Sequence, residues 1–436
     1  MDKFTYNREG ELQCEDILVK NIVDRLGTPL YLYSVNTLKD HYTRFAAAFS
    51  ALSPLICFSI KTLNNLYLIR ELVALGSGID TVSGGEIFMA KAAGADMSKV
   101  VYAGIGKTDA ELEYAIDLGV GLINIESEEE FINAARIAAS RNRQVRAALR
   151  ITPDVVDDKT HSKTKTGYRG SKFGVDLDRA KQFFHTYGRD KHVRLVGLHV
   201  HIGSPIYSPE PYRQAICKLL ELTNYLEAKK YPIETLDIGG GYSADYTHNL
   251  SPRWESFAEE IVPLLLPLAR KGVKIIMEPG RTLSANAGIL LTTVNYIKCG
   301  GDKQFAVVDT GMHHLIRPTL YDADHYIWPV STGLLQIPPK REINGNIPGG
   351  SVYDVVGPIC ESGDFLARAR QLPVLQRGDV LAIFTAGAYG MVMSSQYNAM
   401  PRPAEACVDR QRLVLIRERE SYPDLLQGVV EKDIPL

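Results

Sequence analysis

Between residues 55 and 280 the chain alternates short apolar runs with amphipathic stretches. The apolar runs end at Lys61, Ser83, Ile105, Ser127, Pro153, Gly203, Gly241 and Gly280. Between most of them apolar residues recur at helical spacing. Leu66, Ile69, Leu72, Val73 and Leu75 share one face, and the same spacing predicts helices over 108–118, 128–140, 211–229 and 254–271. Eight strand–helix units in succession predict eight parallel strands with outer helices, a (β/α)8 TIM-like barrel; a doubly wound open sheet shares the alternation. Past Gly280 the pattern changes. GILLTTVNYIK, QFAVVDTG, SVYDVVGPI, DVLAIFTAG and RLVLIRERE read as strands separated by turn residues, which predicts a C-terminal antiparallel β-barrel or sandwich domain. The barrel is expected over 28–285, with 1–27 and 286–436 forming the β domain. The polar, basic stretch 154–172 follows the fifth strand as a long loop, either a lid or a solvated connection.

Composition narrows the class. At 436 residues, with 45% hydrophobic and 23% charged residues, the chain suits two or three globular domains. Its formal net charge of -2 gives no reason to expect a nucleic-acid or membrane partner. The six cysteines lack CxxC spacing, which argues against a disulfide framework or zinc site and fits the cytoplasm. The opening MDKFTYNREGELQCED has no apolar core of a signal peptide, and the densest apolar stretch, from Ile261 to Leu268, is interrupted by Pro263 and Pro267.

In a barrel of this kind the C-terminal strand ends build the active site, and here they are rich in chemistry. The first run, LICFSIK, ends in Lys61; an amine there either snorkels to the surface or has a depressed pKa suited to Schiff-base chemistry. The second carries Asp80, with Glu86 following, and the fifth Arg150. The sixth reads His199-Val200-His201-Ile202-Gly203-Ser204, the seventh ends in Gly239-Gly240-Gly241, and the eighth in Glu278-Pro279-Gly280-Arg281. Three glycines between strand and helix form either a tight turn or a backbone cradle for phosphate, to which Ser204 and Gly280 would add. An imidazole at the mouth stacks on a planar ring or stays a core histidine. Two histidines without a third ligand nearby do not make a metal site, so no metal is expected. Glu278, opposite a cradle and a lysine, is a partner for a pyridinium N–H. The four features together are what pyridoxal 5′-phosphate needs; a Schiff-base aldolase would use the lysine and the cradle but not the carboxylate. The β domain adds Arg317-Pro318-Thr319-Leu320-Tyr321, Cys360-Glu361-Ser362-Gly363-Asp364 and Ala388-Tyr389-Gly390. Cys360 is either an acid donor or a small buried hydrophobe.

With the strand-end lysine, HxHIGS, GGG, EPGR, LIRPxLYDAxH, CESGD, GAYG and the closing Tyr397-Asn398, the chain resembles the fold type III pyridoxal-phosphate decarboxylases over nearly its whole length. Within that group it is most similar to the diaminopimelate decarboxylases. The resemblance implies that Lys61 is the Schiff-base lysine and that His201 stacks on the cofactor ring. Ser204, Gly239, Gly240 and Gly241 hold its phosphate, with Gly280, Arg281 and Tyr389 nearby, and Glu278 pairs with the ring nitrogen. Asp80, Glu86 and Arg150 match supporting positions. It further implies that Arg281, Arg317, Tyr321 and Tyr389 bind substrate, and that Cys360 and Glu361 reach the site from the partner subunit of a homodimer. After the lysine this chain has Thr62-Leu63 where the family commonly has alanine and asparagine.

The expected reaction is loss of CO2 from an amino acid, with Cys360 returning the proton. Arginine binds a carboxylate bidentately, so Arg281 and Arg317 imply a carboxylate at the far end of the substrate, with Glu361 reading an ammonium. An amino acid at both ends is meso-2,6-diaminopimelate, with L-lysine as product. A decarboxylase of the ornithine or arginine type, or a silent cofactor-binding homologue, is the alternative.

Overall fold

The computed structural model describes residues 2–246, 253–333, 337, 340–343, 345, 347–432 and 434. The chain divides into two compact units, one comprising Leu38–Asp245 and Asn249–Ser284, the other Met1–Thr37, Tyr246–His248 and Ala285–Leu436.

The first unit is a closed parallel barrel of eight strands: β1 (Leu55–Ser59), β2 (Gly78–Thr81), β3 (Val100–Tyr102), β4 (Leu122–Ile125), β5 (Val145–Ile151), β6 (Val193–Val200), β7 (Thr235–Asp237) and β8 (Lys274–Met277). β8 closes on β1 through Ile276 opposite Leu55 and Met277 opposite Ile56. The open sheet is thereby excluded. Cys57, Val101, Leu122, Ala148, Val196 and Ile276, from six different strands, pack together as a buried core.

The polar residues that interrupt the apolar runs start the helices. Asn65, Ser83, Thr108, Ser127 and Asp176 each accept a backbone N–H of the helix that follows, so a polar cap starts each of these helices. The helices span Leu66–Ala74, Gly84–Ala92, Asp109–Leu118, Glu128–Ser140, Leu177–Tyr187, Glu210–Ala228 and Trp254–Arg270. The last runs through Pro263 and Pro267 without a break. The eighth strand–helix unit is abbreviated: β8 leads into one turn, Arg281–Ser284, while a longer helix, Val35–Ala48, precedes β1. Among the described residues no helix is long and apolar enough to cross a membrane.

Two expectations about the second unit need correction. Leu30–Ser34, assigned to the barrel by the 28–285 boundary, is a strand of the second unit's sheet, antiparallel to Gly288–Gly300 and parallel to Ala404–Asp409. Its apolar run looks like a barrel strand, and only its partners, far away in sequence, decide where it pairs. The sheet is also mixed rather than antiparallel. Lys303–Val308 runs parallel to Ser351–Val356, because the long connection between them is a crossover and not a hairpin. The sheet order is Phe365–Leu372, Ser351–Val356, Lys303–Val308, Gly288–Gly300, Leu30–Ser34, Ala404–Asp409, Arg412–Arg417, with Val380–Ile383 also paired to Gly288–Gly300. Residues 4–18 form a separate three-stranded sheet in the same unit.

Candidate active site

Lys61 does not close β1 itself. It sits one turn later, in the short helix Ile60–Thr62, and its amine meets the carboxylate of Asp80 on β2. Asp80 is fully buried, whereas the lysine side chain is 28% exposed. Ser59 ties the two neighbouring strands in, its Oγ lying 2.5 Å from Asp80 Oδ2 and 3.0 Å from the Glu278 carbonyl, with one proton shared between the two acceptors. Burial, with the Glu278 charge added, raises the Asp80 carboxyl above its usual range. Glu86 accepts from the Val82 N–H at 2.7 Å, and burial pushes it up to about 7 despite Lys61.

Glu278, at the end of β8, is buried, and its Oε2 lies 3.5 Å from His199 Nε2 on β6. Its Oε1 has no hydrogen-bond partner among the described residues. Asp237, ending β7, joins them: the donor and acceptor atoms of His199, Asp237 and Glu278 lie within 4.8 Å of one another. Sequence spacing gave the histidines no such neighbours; the barrel brings in two carboxylates, and to His199 rather than His201.

His201 stands two residues further on, half-buried, with Nδ1 accepting the Gly240 N–H at 3.2 Å. Its proton is therefore on Nε2. Burial, then the Arg150 and Lys61 charges, push its pKa down to about 3, so the ring is neutral. The glycine turn is packed too closely for side chains. A Cβ on Gly239 would lie 2.3 Å from the Val200 carbonyl, and one on Gly240 2.0 Å from that of Glu278. Two of its three amides are spent internally, Gly239 N–H on Asp237 Oδ1 (2.9 Å) and Gly240 N–H on His201. The turn is thus less open than three bare glycines suggest. Arg281 Nε donates to Ser204 Oγ at 3.0 Å, and Gly280 packs where a Cβ would meet Thr62 at 2.6 Å. Lys61, Asp80, His201, Ser204, Gly239, Gly240, Gly241, Glu278, Gly280 and Arg281 therefore converge through direct contacts within one unit. A buried carboxylate oxygen with no partner among the described residues, a neutral imidazole, a side-chain-free turn and a partly exposed lysine fit the ring nitrogen, ring face, phosphate and aldehyde of pyridoxal phosphate.

Besides Asp237, two residues of this region escaped sequence reasoning. Glu126, one residue past β4, binds Arg150 Nη1 at 2.7 Å and accepts the Gly104 and Gly174 amides; an acid at a strand end was the available signal. Lys107, after β3, is buried and donates to Gly104 O, Asn124 O and Glu130 Oε1 at 2.5, 2.8 and 2.7 Å. Its three protons are all used. The 154–172 loop is partly exposed but anchored at two points: Thr166 Oγ1 donates to the His201 carbonyl at 2.9 Å and Thr160 Oγ1 to that of Pro205 at 2.5 Å.

The second unit holds the other expected residues. Arg317 opens the short helix Arg317–Tyr321 and is buried against the Tyr246 ring, 4.8 Å from its centroid, with His325 alongside. Thr319 Oγ1 donates to Gly363 O at 2.6 Å, joining this helix to the Cys360–Asp364 turn. Buried Asp364 fixes that turn by accepting the Met312 and Ile359 amides. Cys360 is exposed, which rules out a buried hydrophobe, and Glu361 beside it binds the Tyr397 hydroxyl. Asn398 Oδ1 accepts the Cys360 N–H at 3.1 Å. Tyr389 is half-buried with φ +56°, a backbone conformation that tyrosine rarely adopts. Tyr321 is half-buried at the helix end.

Comparison with known proteins gives a consistent picture. Residues 35–285 match the family model described as pyridoxal-dependent decarboxylase, pyridoxal binding domain. The chain is 41% identical to diaminopimelate decarboxylase of Aquifex aeolicus, covering 96% of both chains, and 40% identical to that of Vibrio cholerae, covering 98% of both. Among solved structures, diaminopimelate decarboxylase of M. jannaschii in complex with L-lysine superposes with a TM-score of 0.90 at 31% identity over 99% of each chain. The Helicobacter pylori enzyme with L-lysine gives 0.86 at 34% identity, over 94% of this chain and 98% of that one.

Proposed function

Because the chain belongs to the pyridoxal-dependent decarboxylases, and within them to the diaminopimelate decarboxylase family, we propose that it converts meso-2,6-diaminopimelate to L-lysine and CO2. Identity near 40% over the whole chain carries the reading, and the Lys61–Asp80–Glu278–His201 cluster supports it. Two relatives carry L-lysine in their crystals, the product proposed here.

When bound, pyridoxal phosphate supplies the electron sink that makes loss of CO2 from an amino acid feasible. Lys61 offers the amine that holds the cofactor aldehyde, with Asp80 orienting it. Glu278, kept ionised, keeps a ring nitrogen protonated, and neutral His201 offers a face to stack on. Ser204, Gly239–Gly241, Gly280, Arg281 and Tyr389 take the phosphate. For the substrate we assign Arg281, Arg317, Tyr321 and Tyr389, with the two arginines reading the distal carboxylate and Glu361 the distal ammonium. Cys360 holds on Sγ the proton for the carbon that has lost CO2. Its exposed turn supports delivery to the other subunit of a homodimer. The six cysteines, none of them in a disulfide, support a reducing, cytoplasmic setting.

The test is CO2 release from a panel of amino acids by the cofactor-loaded protein. Diaminopimelate should be strongly preferred over lysine, ornithine and arginine. Equal turnover of ornithine would refute the distal-carboxylate reading.

A further inference from the structure

Asp237 has no part in the roles assigned so far, yet it links two of them. It is the last residue of β7, directly before the glycine turn, and is fully buried, as are Glu278 and His199 beside it. Its Oδ1 accepts the Gly239 N–H at 2.9 Å. Among the described residues its Oδ2 is buried without a hydrogen-bond partner, as is Glu278 Oε1, and the ligand atoms of Asp237, Glu278 and His199 fall within 4.8 Å of one another.

Two carboxylates this close and this deeply buried do not both ionise; one proton is shared between them. The neighbours decide which keeps it. Glu278 has His199 Nε2 at 3.5 Å and feels the Lys61 charge. Asp237 has one backbone amide, and around it the acids Glu278 and Asp80, the Cys57 thiol and the Tyr242 hydroxyl. The Lys61 charge and the imidazole of His199 favour the ionised form on Glu278, whereas Asp237 has a single backbone amide to set against its burial.

We propose that Asp237 is a positioning residue that carries the proton: Oδ2–H donates to the Glu278 carboxylate while Oδ1 holds the Gly239 amide. One neutral side chain thus keeps Glu278 ionised and aimed, and fixes the first glycine of the phosphate turn to the same point. This rests on the reading of Glu278 as the ring-nitrogen partner. The titration behaviour agrees. Burial and the Glu278 charge push the Asp237 carboxyl well above its usual range. Burial alone would raise Glu278 too, but His199 and Lys61 hold it well below.

The conservative variant separates this role from simple packing. In Asp237→Asn the amide oxygen can still accept from Gly239 and the NH2 can still donate to Glu278, as a protonated aspartic acid does. Asp237→Leu keeps the bulk and loses both bonds. Three readouts apply: the infrared carbonyl band of a protonated carboxyl in cofactor-free protein at neutral pH, cofactor affinity by titration, and the absorbance of the bound cofactor. Because Glu86 and Asp80 also hold raised carboxyls, the band is read as the difference between wild type and Asp237→Asn, where one carboxyl band should be lost with the substitution. Asp237→Asn should keep affinity within about threefold and leave the absorbance unshifted, while Asp237→Leu should lose about tenfold or more. Absence of that difference, equal damage from asparagine and leucine, or a chelatable metal ion co-purifying in stoichiometric amount would each overturn the proposal. Failure of the Glu278 reading looks different: Glu278→Gln would then leave the bound cofactor's absorbance and turnover unchanged, while the Asp237 band in the wild type remained.

Discussion

Arg317 Nη1 lies 2.9 Å from His325 Nε2, and since a guanidinium can only donate, the imidazole must accept. The proton of His325 is therefore on Nδ1, which donates to the Phe384 carbonyl at 2.9 Å. A backbone carbonyl thus sets a tautomer, and the tautomer, with the Tyr246 ring, sets the direction of the guanidinium. Arg317→Ala should weaken diaminopimelate binding by roughly 1–3 kcal/mol, by leaving the distal carboxylate unpaired. His325→Phe, which removes the acceptor, should raise KM for diaminopimelate and leave kcat much less changed. Steady-state kinetics on both variants checks this; a fall in kcat at unchanged KM would contradict it.

A pH-dependent stability should follow from His201. Its folded-state value, about 3, lies below the ordinary 6.5, so the unfolded chain takes up the proton first. The stability this group contributes is complete above pH ~6.5 and is lost progressively as pH falls from there toward the folded value. Denaturant midpoints of wild type and His201→Phe, compared from about pH 8 down to 4, should show the wild type losing more. Parallel curves would refute a neutral, buried imidazole.

Glu278→Gln should fold normally and retain most cofactor affinity, yet lose turnover, because a neutral amide cannot keep a ring nitrogen protonated. Removing a charge-assisted bond of this kind costs on the order of 2–4 kcal/mol in the barrier. Single-turnover rates beside a cofactor titration separate the two effects; near-normal turnover would dismiss the role.

The strand-end residues were legible because a barrel directs the C-terminal ends of all its strands to one face, so Lys61, His201, the glycine turn and Glu278 needed only their order along the chain. What stayed hidden depends on partners distant in sequence. Leu30–Ser34 looks like a barrel strand until Gly288–Gly300 and Ala404–Asp409 flank it. Asp237 and Glu126 look like ordinary acids until the barrel closes and sets them beside Glu278 and Arg150. His325 stood in a recognised motif, but its role is fixed by the carbonyl of Phe384, which carries no sequence signal at all.

Complementation tests the shared site. If Cys360 serves the partner subunit, a Lys61→Ala/Cys360→Ala heterodimer has one site with both lesions and one with neither. Random exchange of equal amounts should then restore about a quarter of wild-type activity, since half the dimers are mixed and each has one good site. Each homodimer alone should be nearly inactive. Full activity of Cys360→Ala, or no recovery on exchange, would contradict the assignment.

Lys61 and Lys107 both follow barrel strands, and they differ in exposure. Lys107 is buried and gives all three protons to Gly104, Asn124 and Glu130, while Lys61 meets Asp80 and its side chain is 28% exposed. The most direct measurement is borohydride reduction of the cofactor-loaded protein followed by peptide mapping. The expected result is a pyridoxyl label on Lys61 alone, with lysine formation from diaminopimelate lost in parallel and no label on Lys61→Ala. A label on Lys107 or any other lysine, or lysine formation surviving in Lys61→Ala, would contradict it.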